Sequence, residues 1–163
     1  MKRLLLALLI SIISLGNISC KAQDNIAWVQ NDVAYENINY GALYNWWAAT
    51  DARNICSIGW SLPTNAEFNT LISTVGTNPG YALTEANLSY WTDITGCTNS
   101  SGFNGRGSGN RAYTTGAFNG LKGTAAFWTS TVVYSGYGCS YGLYSSNHSL
   151  FSLYDATRRA NGC

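Results

Sequence analysis

The chain opens on a single apolar block. After Met1-Lys2-Arg3, the twelve residues from Leu4 to Leu15 are interrupted only by Ser11 and Ser14. As a helix they would rise about 18 Å, short of a bilayer core of about 30 Å, so the block reads as a secretory leader rather than a permanent span. Beyond it the apolar positions come in short runs. Residues 21–34 are largely polar, with Ile26-Ala27-Trp28-Val29 suiting a first strand, and Tyr40 to Trp47 suits a buried strand or a strand-to-helix join. Thr64 and Glu67 have capping-box spacing and predict a helix beginning at Asn65. Phe68, Leu71, Ile72 and Val75 would share one face of it, and Gly76 with Pro79-Gly80 would end it. From Gly96 to Gly123 the chain is rich in Gly, Asn, Ser and Thr, which predicts long ordered loops across a small sheet. From Phe127 onward, Trp128–Thr131, Gly138–Tyr144 and Ser149–Tyr154 read as closing antiparallel strands.

Composition narrows the possibilities. With 163 residues and 46% hydrophobic positions, there is enough for one core and too little for two domains. Trp46, Trp60, Trp91, Phe103 and Trp128 are the expected core aromatics. Only 10% of residues are charged, against roughly 25% in an average domain. Without residues 1–19 the basic and acidic residues stand at seven against eight, because Lys2 and Arg3 leave with them. No basic field remains for a phosphate backbone, so nucleic acid is not an expected partner.

Gly16-Asn17-Ile18-Ser19-Cys20 resembles the lipobox of bacterial lipoproteins, with Asn17 where Leu is usual. The resemblance implies a signal peptide over 1–19, a lipid-modified Cys20 that ties the protein to a membrane, a tether over 20–34 and a domain over 35–163. An exported domain occupies an oxidising compartment, where cysteines can be bridged.

Four motifs follow in order: Tyr40-Gly-x-Leu-Tyr-Asn-Trp46, Cys56-x-x-Gly-Trp-x-Leu-Pro-Thr-x-x-Glu-Phe68, Thr98-Asn-x-Ser-Gly-Phe103 and Phe127-Trp-x-Ser-Thr131. Together they resemble the Fibrobacter succinogenes major paralogous domain, a family of secreted and surface proteins. The resemblance implies an α+β fold of the C-type-lectin-like kind, related to the formylglycine-generating-enzyme fold, with small antiparallel sheets, one or two helices and long ordered loops. Family members close on Gly-Phe-Ser-Val-Arg-Cys, and that last Cys is expected to bridge to the position of Cys56. This chain ends Asn161-Gly162-Cys163, which implies either a sequence that stops short of the closing strand or a different closure. Cys56, Cys97, Cys139 and Cys163 then allow three connectivities, among which the sequence does not choose.

Candidate chemistry is sparse. His148 is the single histidine, Asp51, Glu67, Glu85 and Asp93 are scattered, and no His/Cys cluster has zinc spacing. Gly105-Arg106-Gly107-Ser108-Gly109 lacks the Gly-Lys-Ser/Thr of a phosphate loop and reads as a turn-rich loop. The calcium tripeptides of sugar-binding C-type lectins are missing. So is a close Cys pair for formylglycine-generating chemistry. The expectation is a protein that is not an enzyme and carries no metal or cofactor.

The C-terminal segment has another character. Between residues 132 and 157, 14 of 26 positions are Tyr, Ser or Gly, the palette of antibody binding loops. Lys, Glu, Gln, Trp and Met supply 13 residues between Lys21 and Thr131 and none of the 32 from Val132 to Cys163. At the upstream rate such a gap has a chance of about 2%. Those five types are unreachable when the first two bases of a codon ending in C or T are varied, which is the outcome of adenine-directed mutagenesis of Asn codons. This resembles the variable proteins of diversity-generating retroelements, whose folds are C-type-lectin-like. Tyr134, Tyr137, Tyr141, Tyr144, His148, Phe151, Tyr154 and Asp155 are the expected contact surface for a protein or glycan ligand at the cell surface. The alternative is a structural or adhesive surface domain whose tyrosines fill the closing sheet.

Overall fold

A computed structural model describes residues 27–28, 39–112, 114–134 and 137–155. The predicted leader, Cys20, most of the tether, and Cys163 lie outside the described residues. β1 (Ala27–Trp28) pairs antiparallel with β2 (Leu43–Tyr44), which leads at once into α1 (Trp46–Ala49). The aromatic run from Tyr40 is thus the strand-to-helix join its pattern predicts. Asn45 makes the turn possible, its side chain accepting from the Ala48 N–H at 2.8 Å.

α2 (Asn65–Val75) begins and ends where the sequence places it. Thr64 Oγ1 accepts from the Glu67 N–H, and Glu67 Oε2 accepts from the Thr64 N–H at 2.8 Å, a complete capping box. Gly76 closes the helix at φ 91°, a backbone angle that costs glycine little. Phe68 and Leu71 are buried, with Ile72 and Val75 packed behind them. A short α3 (Pro79–Leu83) follows.

The Gly96–Gly123 region is more regular than the loops expected of it. β3 (Ser108–Arg111) and β4 (Phe118–Leu121) form an antiparallel hairpin. Period-2 patterning is hidden there because the strands are short and made of Ser, Gly and Asn. The closing strands are β5 (Thr124–Tyr134), β6 (Tyr137–Tyr144) and β7 (Leu150–Asp155), one antiparallel sheet in the order β5-β6-β7. Among the described residues the fold is therefore α+β, with small antiparallel sheets and three short-to-medium helices.

Alternation along β5 and β6 divides the core between the two faces of this sheet. Ala125, Cys139, Tyr141 and Leu143 face α2 with Phe68, Leu71, Leu83, Trp91 and Phe103. Trp128 packs on the other face with Trp46 and Ala49. Two reciprocal bonds lock that side: Trp46 Nε1 donates to the Thr129 carbonyl at 2.9 Å and Trp128 Nε1 to the Tyr44 carbonyl at 2.8 Å. Gly138 is required here, because a Cβ would lie 2.5 Å from the Trp46 indole. Of the five expected core aromatics, Trp46, Trp91, Phe103 and Trp128 are buried, whereas Trp60 is half-buried.

Candidate functional site

The eight residues expected to form one contact surface separate into three groups. Tyr134 (66% exposed), Tyr137 (38%) and Phe151 (49%) are on the surface. Tyr134 and Tyr137 are register partners beside the β5–β6 turn, their rings edge to face at 6.2 Å, with Val132 (50%) next to them. Phe151 lies at the other end of the sheet, edge to face with a half-buried Tyr144 at 5.9 Å.

Tyr141 and His148 belong to the second group and correct the expectation. Tyr141 is 2% exposed, its ring stacked on Phe68 with centroids 4.1 Å apart and planes 5° apart. Its hydroxyl bonds Asn65 and, at 2.7 Å, Asn69. It occupies the α2 face because it shares parity with Cys139 and Leu143, and a composition count cannot see parity. The third group is Tyr154 and Asp155. Their backbones pair with Cys139 and Gly138, and their side chains lie outside the described residues.

His148 is 5% exposed and held at φ 46°, in the left-handed region that His tolerates better than most residues. Gly80 of α3 lets its loop approach, since a Cβ there would fall 1.7 Å from the His148 carbonyl oxygen. The imidazole lies against the Tyr81 ring at 5.0 Å. Its Nδ1 is 3.2 Å from Cys97 Sγ. Its Nε2 is 3.5 Å from Asp93 Oδ2, within ion-pair reach but without hydrogen-bond geometry, and has no other hydrogen-bond partner among the described residues. Burial raises the Cys97 thiol above its ordinary range; a hydrogen bond with Thr84 opposes this and the Asp93 carboxylate adds to it. Hydrogen bonds from the Thr95 hydroxyl and N–H hold Asp93 below the usual carboxylate range, against partial desolvation, and His148 adds to the lowering. The sequence offers Cys97 only as a possible disulfide partner and Asp93 only as a scattered acid; their contacts with His148 are what sequence reasoning missed. The two residues lie 51 and 55 positions from His148, and no local motif announces a contact at that separation.

The remaining candidates resolve into scaffold. Cys56, Cys97 and Cys139 are all free thiols, so the expected bridges among these three are not formed. Cys139 is sealed under the sheet, which separates it from the other two. Arg106 does not serve a phosphate loop: its guanidinium pairs with Glu85 at 2.5 Å, donates to the Asn39 carbonyl at 2.7 Å and covers the Tyr90 ring at 3.9 Å. Among the described residues, no group of three or more His, Cys, Asp or Glu is arranged to hold a metal ion, and no helix is long and apolar enough to cross a membrane.

The motif residues are therefore the frame: Asn45 and Thr64 cap helices, and Thr131 Oγ1 accepts from the Asn65 N–H at 2.9 Å to tie β5 to α2. Ser101 donates to the Ala82 carbonyl at 2.6 Å beside the buried Phe103. The frame defines a small α+β domain in which, among the described residues, the exposed aromatics Tyr134, Tyr137 and Phe151 lie on the closing sheet and a fourth, Trp47, lies on α1. The family model of the Fibrobacter succinogenes major domain matches residues 12–151, and the chain belongs to that family. None of the curated proteins and none of the solved structures compared with the chain matches it.

Proposed function

We propose that the protein is an exported, lipid-anchored surface domain that binds a protein or glycan ligand through aromatics of its closing sheet. The observation that carries this reading is the distribution of exposed large hydrophobic residues. Seven occur among the described residues, and four of them, Val132, Tyr134, Tyr137 and Phe151, fall within twenty positions of the Tyr/Ser/Gly-rich segment. Exposed Tyr and Phe offer rigid contact area at low conformational cost and are enriched where binding energy concentrates. Export follows from the leader and Cys20, and a C-type-lectin-like body from the family resemblance.

Retroelement diversification is the finer part of the same reading. It rests on the missing Lys, Glu, Gln, Trp and Met after Thr131. Codons 132, 134, 137 and 151 would vary, while those for the buried run Gly138–Leu143 would be held by packing. The test is capture of the tagged domain on glycan and bacterial surface-protein arrays, compared with a Tyr134→Ser/Tyr137→Ser/Phe151→Ser variant. Binding that disappears in the variant while the melting temperature holds supports the reading. A feature bound equally by both proteins would remove these residues from the contact surface.

A further inference from the structure

We propose that Cys97 is a nucleophile that accepts acyl groups from uncharged esters, with His148 as its base and Asp93 positioning the imidazole. The elements are a half-buried thiol, an imidazole nitrogen 3.2 Å from its sulfur, and a carboxylate 3.5 Å from the opposite nitrogen. That order of nucleophile, base and orienting acid is what thiol acyl transfer requires. Because the two ring nitrogens point to different partners, Cys97 and Asp93 cannot converge on a shared metal. Nε2 is buried and without a hydrogen bond, and Asp93, 3.5 Å away, is placed to stabilise the ring when it becomes charged. Gly96 and Thr98, the sequence neighbours of Cys97, help to line a cleft of about 460 Å³ whose other lining residues, Val75, Thr77, Asn78, Tyr81, Ala82 and Ser100, include no charged side chain. A lining without charge, half of it polar, fits a small neutral ester.

The thiol rests protonated and passes its proton to Nδ1 as sulfur attacks the carbonyl carbon. The ester C–O bond then breaks, and the proton on Nδ1 goes to the departing alkoxide, leaving a Cys97 thioester and an alcohol. Water attacks the thioester with its proton passing to the same nitrogen. The acyl C–S bond breaks, the acid is released and the departing thiolate recovers that proton. Proton transfer from a positioned base is worth on the order of 100-fold or more in rate.

Cys56 is an internal control, since it too is half-buried with a thiol raised by burial, and the chain's single imidazole is at Cys97. The experiment treats the reduced full-length protein with p-nitrophenyl acetate and follows acetylation of each cysteine by peptide mass mapping. Cys97 should acetylate about 100-fold faster than Cys56. His148→Asn, which suits the left-handed backbone, should bring Cys97 down to the Cys56 rate. Asp93→Asn should slow it about tenfold. Asparagine keeps the turn in which Asp93 Oδ1 accepts from the Thr95 N–H at 2.9 Å and its hydroxyl at 2.7 Å, so that loss reports the carboxylate charge and not the loop. Equal rates at Cys97 and Cys56, or an Asp93→Asn rate unchanged from wild type, would overturn the proposal. Neither outcome touches the aromatic residues of the proposed binding face.

Discussion

Tyr141→Ala removes a tyrosine of the closing segment that the fold buries against Phe68. Truncating a core aromatic costs about 3–5 kcal/mol through lost transfer energy and the cavity left behind. Asn65 and Asn69 also lose a partner each, so the upper half of that range applies. Tyr141→Phe keeps the stack and loses only the hydroxyl, at about 1–2 kcal/mol. Tyr134→Ala, at a surface position, should stay within about 0.5 kcal/mol of wild type. In urea titrations followed by tryptophan fluorescence, a slope of roughly 2 kcal/mol/M turns these into midpoint losses of about 2 M, 0.5–1 M and a quarter molar or less. Equal midpoints for Tyr141→Ala and Tyr134→Ala at unchanged slope would refute the assignment of β6 parity, and with it the division of this segment into interior and surface.

Four further outcomes are expected. Gly80→Ala sets a methyl against the His148 carbonyl, where neither backbone can yield cheaply; it should lower stability by about 2 kcal/mol or more and shift the His148 ring resonances in NMR spectra. Thr64→Ala removes half of the α2 capping box and should cost about 1 kcal/mol in the same urea titration. Asp51, hydrogen-bonded by the Arg53 guanidinium and then by its N–H, is lowered from 3.8 to about 2. Its contribution to stability is therefore present above about pH 4 and lost as pH falls toward 2, which a carboxyl chemical-shift titration reads directly. Cys139 should resist a thiol reagent until the protein is denatured, while Cys56 and Cys97 are labelled in the folded state.

Local signals were legible and distant ones were not. The Thr64–Glu67 spacing and the Phe68–Val75 face located α2 from end to end because both are written within one element. The closing strands were visible in their β-branched and aromatic runs. The β3–β4 hairpin was not, since its Ser, Gly and Asn carry no apolar alternation. The candidate surface was legible only in part. Composition singles out the segment as a whole, yet the side of the sheet each tyrosine takes depends on register with β5. Tyr141 therefore fell into the interior while Tyr134 and Tyr137 stayed out. Cys97, Asp93 and His148 meet only because α3 admits the β6–β7 loop at Gly80, a tertiary contact with no sequence signature.

Under the proposed function, the closing sheet pairs a fixed interior with a variable exterior. The most direct measurement is codon-by-codon sequencing of the gene's 3′ end across several isolates of the source organism, together with its flank. Expected are substitutions at codons 132, 134, 137 and 151, an unchanged run from 138 to 143, and a nearby near-copy differing only at adenines. Substitutions as frequent in 138–143 as at the exposed positions, or an invariant 3′ end with no near-copy, would contradict that pairing.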